Sequence, residues 1–365
     1  MVHKLLPKVI FTLLAASWFT AWAFAQSSPL PLGTISDVRS APSCPVGYAT
    51  GASCFTAMVS CPNTLDLPFT FGYENPQQGG AMSGTIVFFN GADGTVPGGS
   101  EFATALLQAG YRLVQINWDT AWEDALSGVG TDIKTAACRP ATFLNFVHQN
   151  LYTSGGMCGW GSSAGSGALA YSLAWYGAAD YMDSVELLSG PVFSDIERGC
   201  AVPPAPPVFV CPNGQLGCNT GFEGGWLEDV QYVNYPALDQ WTGINACDGG
   251  QTTSVRDDED WKSMSIVDGT SGPTFVYPRT NMAGWLCATS IPSTCNPGEC
   301  PNNSAAEGEI FYEQFTDGAQ IANYSVTRID QCNGPEGVNP GVTPQGVSGL
   351  TAITQDMIAK CRRQH

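Results

Sequence analysis

The sequence predicts an α/β fold, a doubly wound and mostly parallel sheet carrying an inserted, disulfide-stapled cap. Three observations lead there. Strand and helix patterns alternate through residues 85–188, which calls for crossover connections and a parallel sheet. Thr85-Ile86-Val87-Phe88-Phe89 is a continuous apolar run of β-formers, as a strand covered on both faces requires. Gly161-Ser162-Ser163-Ala164-Gly165 then places small residues around a serine between a short strand and a helix.

The chain has 365 residues, enough for a sizeable core, of which 44% are hydrophobic and only 13% charged. The first 25 residues have the form of an export signal: Lys4 and Lys8, an apolar run from Val9 to Phe24, and Ala23-Phe24-Ala25 at a cleavage position. A membrane anchor is the competing reading, but the run is short for a span of about 20 residues. Removal of the signal takes Lys4 and Lys8 and leaves 12 basic against 32 acidic residues, a net charge of −20. That surplus excludes nucleic acid and an anionic membrane as partners. The expected location is secreted or periplasmic. All 14 cysteines lie after residue 25, an even number that argues for disulfides. No cluster has the spacing of a metal site, and no cofactor is expected. Connectivity is open, with the short loops Cys54–Cys61 and Cys295–Cys300 as candidates.

Residues 26–52, rich in Ser, Pro and Gly, suit an extended leader. The core is expected over 53–192 and 273–365. Cys54–Val59 and Leu67–Tyr73 predict a hairpin around Cys61-Pro62-Asn63. After the strand at 85–89 comes a helix starting at Ser100 and stopping at Gly110, then a strand over Tyr111–Trp118. A helix over about 133–151, begun or broken by Pro140, leads to a strand at Met157–Gly161. A helix over Ala164–Tyr176 and a strand over Ser184–Leu188 follow. Between 193 and 272 the rhythm is lost among prolines, four cysteines and many aromatics, so an inserted cap is expected there. It either covers the sheet edge or walls a binding cleft with aromatic rings. Strands at Asn281–Cys287 and Tyr324–Ile329, a helix near 304–317 and a last helix over Gly349–Arg362 complete the chain.

This order of elements, with the strand ending Phe89-Asn90-Gly91 and the G-x-S-x-G two strands later, resembles the α/β-hydrolase superfamily, particularly its secreted esterases and lipases. The resemblance covers about residues 54–362 apart from the insertion. It implies that Ser163 is the nucleophile attacking a carbonyl. It also implies an oxyanion hole made by the backbone N–H of Ala164 and one in the loop after Asn90-Gly91, assigned to Ala92.

The sequence departs from the superfamily at the base. A serine hydroxyl needs a partner to take its proton, usually histidine. Only three histidines exist: His3 in the signal, His148 near the end of the helix before the elbow strand, and His365 at the terminus. The chain enters the elbow strand at the edge opposite the serine, which gives His148 a structural role. The superfamily's histidine position falls on Glu336 or Pro335 in the loop after the last strand. Its acid position falls at Ala288-Thr289-Ser290, which has no carboxylate; Asp195 is an alternative acid.

Three readings follow. One is a carboxylic-ester hydrolase using Ser163 with an unusual carboxylate base such as Glu336. Another is a degenerate hydrolase that binds a ligand or partner without turning it over. The third takes Gly161–Gly165 as a plain tight turn in an unrelated protein. The low charge and the aromatic insertion favour a small-molecule ester or other uncharged ligand.

Overall fold

The structure, a computed structural model, describes residues 28–76, 82–91, 100–118, 122–123, 133–188, 190, 266, 277–287, 324–329, 343 and 345–362. Among these described residues nine strands form one sheet in the order β1-β2-β3-β5-β4-β6-β7-β8-β9. They are β1 (Thr34–Ser40), β2 (Ser53–Ser60), β3 (Leu67–Glu74), β4 (Gly84–Phe89), β5 (Tyr111–Trp118), β6 (Gly156–Ser162), β7 (Ser184–Leu188), β8 (Asn281–Cys287) and β9 (Tyr324–Ile329). β1, β2, β3 and β5 pair antiparallel. From β5 through β4, β6, β7 and β8 to β9 every pairing is parallel. This is a mostly parallel sheet of the α/β-hydrolase type.

Helices cover both faces, and the strand residues alternate between them because successive side chains point to opposite sides. In β4, Val87 and Phe89 join a cluster with Phe143, Leu144 and Val147 of α3 (Cys138–Asn150) and Leu169 of α4 (Ala164–Tyr176). Ile86 and Phe88 join the other cluster, with Phe102 and Leu106 of α1 (Ser100–Gln108) and Ile353 and Met357 of α5 (Gly349–Lys360). Every residue of β4 is buried, as its unbroken apolar run requires. Each such large side chain contributes about 1.5–3 kcal/mol by leaving water. The expected helix near 133–151 is two pieces, α2 (Ile133–Ala136) and α3, with Pro140 in the first turn of α3, where its missing N–H is harmless. α5 is capped by Ser348, whose side chain accepts the Thr351 N–H, and ends at Lys360, two residues short of the expected Arg362.

Two expectations are corrected. Residues 34–40, expected in an extended leader, are extended but belong to the sheet as the edge strand β1. The same segment is tied down further by Leu30 N–H donating to Trp175 O and by Gly33 N–H donating to Thr142 Oγ1. The candidate bridge Cys54–Cys61 does not form. Seven residues of extended β2 separate the two by roughly 20 Å, far beyond the reach of a disulfide. Among the described residues the bridges are Cys44–Cys54, Cys61–Cys138 and Cys158–Cys361. The Cys295–Cys300 candidate, the helix near 304–317, the signal and most of the 193–272 insertion lie outside the described residues. Ile266, inside that insertion, is buried in the core cluster on the α3/α4 face. Among the described residues no helix is long and apolar enough to cross a membrane.

Candidate active site at the elbow between β6 and α4

β6 ends at Ser162 and α4 begins at Ala164, so a single residue makes the whole turn. That residue, Ser163, has φ 51° and ψ −120°. A side chain is strained there, at a cost of about 1–3 kcal/mol, and the conformation persists only where its surroundings enforce it.

The surroundings here are close-packed backbone. A Cβ on Gly161 would sit closer than 3.0 Å to Gly165 O and Ser166 N, and one on Gly165 would sit that close to Phe89 O and Asn90 O. Strand, helix start and the end of β4 therefore meet with no room for a side chain at either glycine. This is the physical content of the G-x-S-x-G spacing. Hydrogen bonds complete the turn. Ser163 N–H donates to Leu188 O at the end of β7 (2.8 Å), and Ser163 O accepts from the N–H groups of Ser166 (2.8 Å) and Gly167 (3.2 Å). Trp122 Nε1 donates to Ala164 O (3.1 Å). Trp122 is in turn held by the buried Arg139, which donates to Trp122 O (2.9 Å) and to Leu65 O (2.8 Å).

Ser163 stands half-buried at the carboxyl end of the parallel strands, where sheets of this kind carry their sites. Its hydroxyl does not cap α4 and bonds to none of the described residues. Ala164 is the first residue of α4, so its N–H has no intrahelical acceptor. The chain leaving β4 passes directly over Gly165, and that is the path toward Ala92. Ala92 itself, Glu336, Pro335, Asp195, His3 and His365 lie outside the described residues.

His148 is at the other edge of the sheet, as its place before β6 implies. Its ring stacks on Tyr181 (centroids 4.5 Å apart) and Tyr152 (5.4 Å), and Gln149 Nε2 is 3.3 Å from its Nδ1. Burial lowers its pKa, and nearby Asp183 partly opposes this. Asp183 marks the amino end of the sheet, since its N–H donates to Met157 O and its carboxylate accepts the Met157 N–H. The seven residues of β6 put roughly 20 Å between that end and Ser163. His148 is not the partner of Ser163.

Two features escape sequence reasoning. Ser166 looks like one more small residue in a Gly/Ser/Ala run, yet its hydroxyl lies 2.8 Å from Gly161 O and 2.9 Å from Leu188 O. Glu186 in the middle of β7 is fully buried, accepts a hydrogen bond from Trp285 Nε1, and lies beside Asp356 of α5. Burial first, then the Asp356 charge, push its pKa well above the usual carboxylate range. No group of three or more His, Cys, Asp or Glu side chains suited to a metal occurs among the described residues.

No family model matches the chain, and no curated protein matches it. Among solved structures it is similar to an acylaminoacyl peptidase of Pyrococcus horikoshii, at 10% identity and TM-score 0.47 over 87% of this chain and 49% of that one. It is similar to a hyperthermophilic esterase of the archaeon Pyrobaculum calidifontis, at 12% identity and TM-score 0.44 over 86% and 83%. A 2,6-dihydroxy-pseudo-oxynicotine hydrolase gives 10% identity and TM-score 0.44, with this chain spanning 80% of its own length and 65% of that protein's. Likeness at this level assigns this chain no activity, and its fold class rests on its own sheet order and elbow.

Proposed function

We propose that this protein is an exported serine hydrolase acting on small, uncharged carboxylic esters, with Ser163 as nucleophile. The observation that supports this best is the backbone of Ser163, a non-glycine residue in a strained conformation that a plain turn would give to glycine. The hydroxyl is not taken up in capping α4.

The proposed reaction is acyl transfer. Ser163 Oγ attacks the ester carbonyl carbon as its proton passes to a base, and the C=O π electrons move onto oxygen. The N–H groups of Ala164 and Ala92 are assigned to that oxyanion, a pairing in which loss of one donor costs about 100-fold or more in rate. Collapse expels the alcohol, which takes the proton, and water then repeats the sequence on the acyl-enzyme. The base assigned is the Glu336 carboxylate, which needs a pKa raised by burial to act near neutral pH.

A second reading, a ligand-binding protein that keeps the elbow without turnover, is favoured by the position of His148 and by the lack of any histidine between it and His365. Even without a base, an oxyanion hole and a cleft leave about 1,000-fold catalysis over water. The test is therefore stoichiometric labelling with a fluorophosphonate. Wild type should label to one equivalent, Ser163→Ala not at all, and Glu336→Gln slowly. A folded wild type that takes no label overturns the enzyme reading in favour of the binding protein. Full-rate labelling of Glu336→Gln keeps Ser163 and removes Glu336.

A further inference from the structure

We propose that Ser166 is a positioning residue for the elbow, holding Ser163 in its reactive conformation by tying α4 to the ends of β6 and β7. This rests on the reading of Ser163 as nucleophile. A serine inside a helix ordinarily returns its hydroxyl to the carbonyl four residues back. Ser172 of α4 does so, donating to Ala168 O (2.6 Å). Ser166 instead turns its one hydroxyl proton out of its helix, shared between Gly161 O (2.8 Å) in β6 and Leu188 O (2.9 Å) at the end of β7. Both serines are fully buried, so neither hydroxyl can exchange its protein partner for bulk water.

The choice of acceptors is what matters. Leu188 O also accepts the Ser163 N–H, so one carbonyl, with two lone pairs, is shared by the nucleophile's backbone and the Ser166 hydroxyl. Gly161 O is two residues before the nucleophile, on the strand that delivers it. Ser166 N–H meanwhile donates to Ser163 O. Ser166 thus fixes the approach to Ser163, its carbonyl, and the acceptor of its amide, without touching the reacting hydroxyl. The chain beyond β7 closes over this point: a Cβ on Gly190 would lie 2.8 Å from Ser166 Cβ and 3.1 Å from Ser163 O. Gly190, two residues past the end of β7, is therefore packed on the same serine.

The test compares Ser166→Ala with Ser172→Ala, which removes an equally buried hydroxyl from the same helix away from the elbow. Two quantities are read in folded protein: the second-order rate of fluorophosphonate labelling, and hydrogen exchange at the Ser163 amide. Ser166→Ala should slow labelling about tenfold or more and speed exchange at Ser163 by a similar factor, while Ser172→Ala stays within about twofold of wild type in both. Ser166→Cys, slightly larger and with a weaker donor, should fall between, and it replaces the alanine variant if that does not fold. Equal effects at positions 166 and 172, or none at 166, overturn the proposal. If the wild type takes no label, the nucleophile reading fails, and exchange at Ser163 alone still decides whether Ser166 holds the elbow.

Discussion

At Ser163 the strained backbone has a thermodynamic signature separable from reactivity. Glycine adopts φ 51° and ψ −120° without a Cβ clash, whereas alanine keeps the clash and loses only the hydroxyl. Ser163→Gly should therefore raise unfolding free energy by about 1–2 kcal/mol, the strain relief less the added entropy of an unfolded glycine. Ser163→Ala should stay close to wild type, and neither variant should take a fluorophosphonate label. Urea midpoints at a constant denaturant slope measure the difference; a Ser163→Gly midpoint at or below that of Ser163→Ala would show that the turn stores no strain. Ser163 is legible in the sequence because its neighbours are dictated by contact: Gly161 and Gly165 leave no space for a Cβ, and that demand is written in residue type. Ser166 is not legible. Its acceptors are backbone carbonyls five residues before it and 22 after it, and carbonyls carry no sequence signal.

Among the elements, the helices and central strands could be read from their periods, but the edge and the cross-strand chemistry could not. β1 has no buried residue, so no alternation marks it within its Ser/Pro-rich stretch. β7 was visible as Ser184-Val185-Glu186-Leu187-Leu188, yet the role of its acid depends on β8 and α5. Trp285 of β8 donates to Glu186, and Asp356 and Lys360 of α5 form an ion pair at 2.7 Å beside it. With its folded pKa raised above the unfolded value, Glu186 binds its proton more tightly in the native state. Stability from this group is fully present below the unfolded pKa and declines as pH rises through the folded one. Glu186→Gln, which mimics the neutral acid and still accepts from Trp285, should match wild type below the unfolded carboxylate pKa of about 4.3 and exceed it increasingly as pH rises above that. Thermal midpoints across that range decide; parallel curves for the two proteins would mean that Glu186 stays ionised in the fold.

At the scale of the molecule, the even cysteine count announced disulfides, but their partners are set by three-dimensional approach. The three bridges among the described residues close separations of 10, 77 and 203 residues. The longest, Cys158–Cys361, ties the end of α5 to β6 five residues before the nucleophile. Tyr111 reinforces it, with its hydroxyl 3.0 Å from Cys361 O and 3.2 Å from Ile358 O. Two effects of removing this bridge can be told apart by geometry. Cys158 faces the α1/α5 side of the sheet, whereas α4, which carries the elbow bonds, packs on the other side. A bridge of this kind acts mainly by restricting the unfolded chain, and its loss costs about 2–5 kcal/mol. Replacing Cys158 and Cys361 together by alanine should lower the urea midpoint accordingly while leaving the labelling rate of Ser163 unchanged in folded protein. A labelling rate that falls along with stability would mean instead that α5 presses on the elbow through the sheet, and that the two faces act as one mechanical unit.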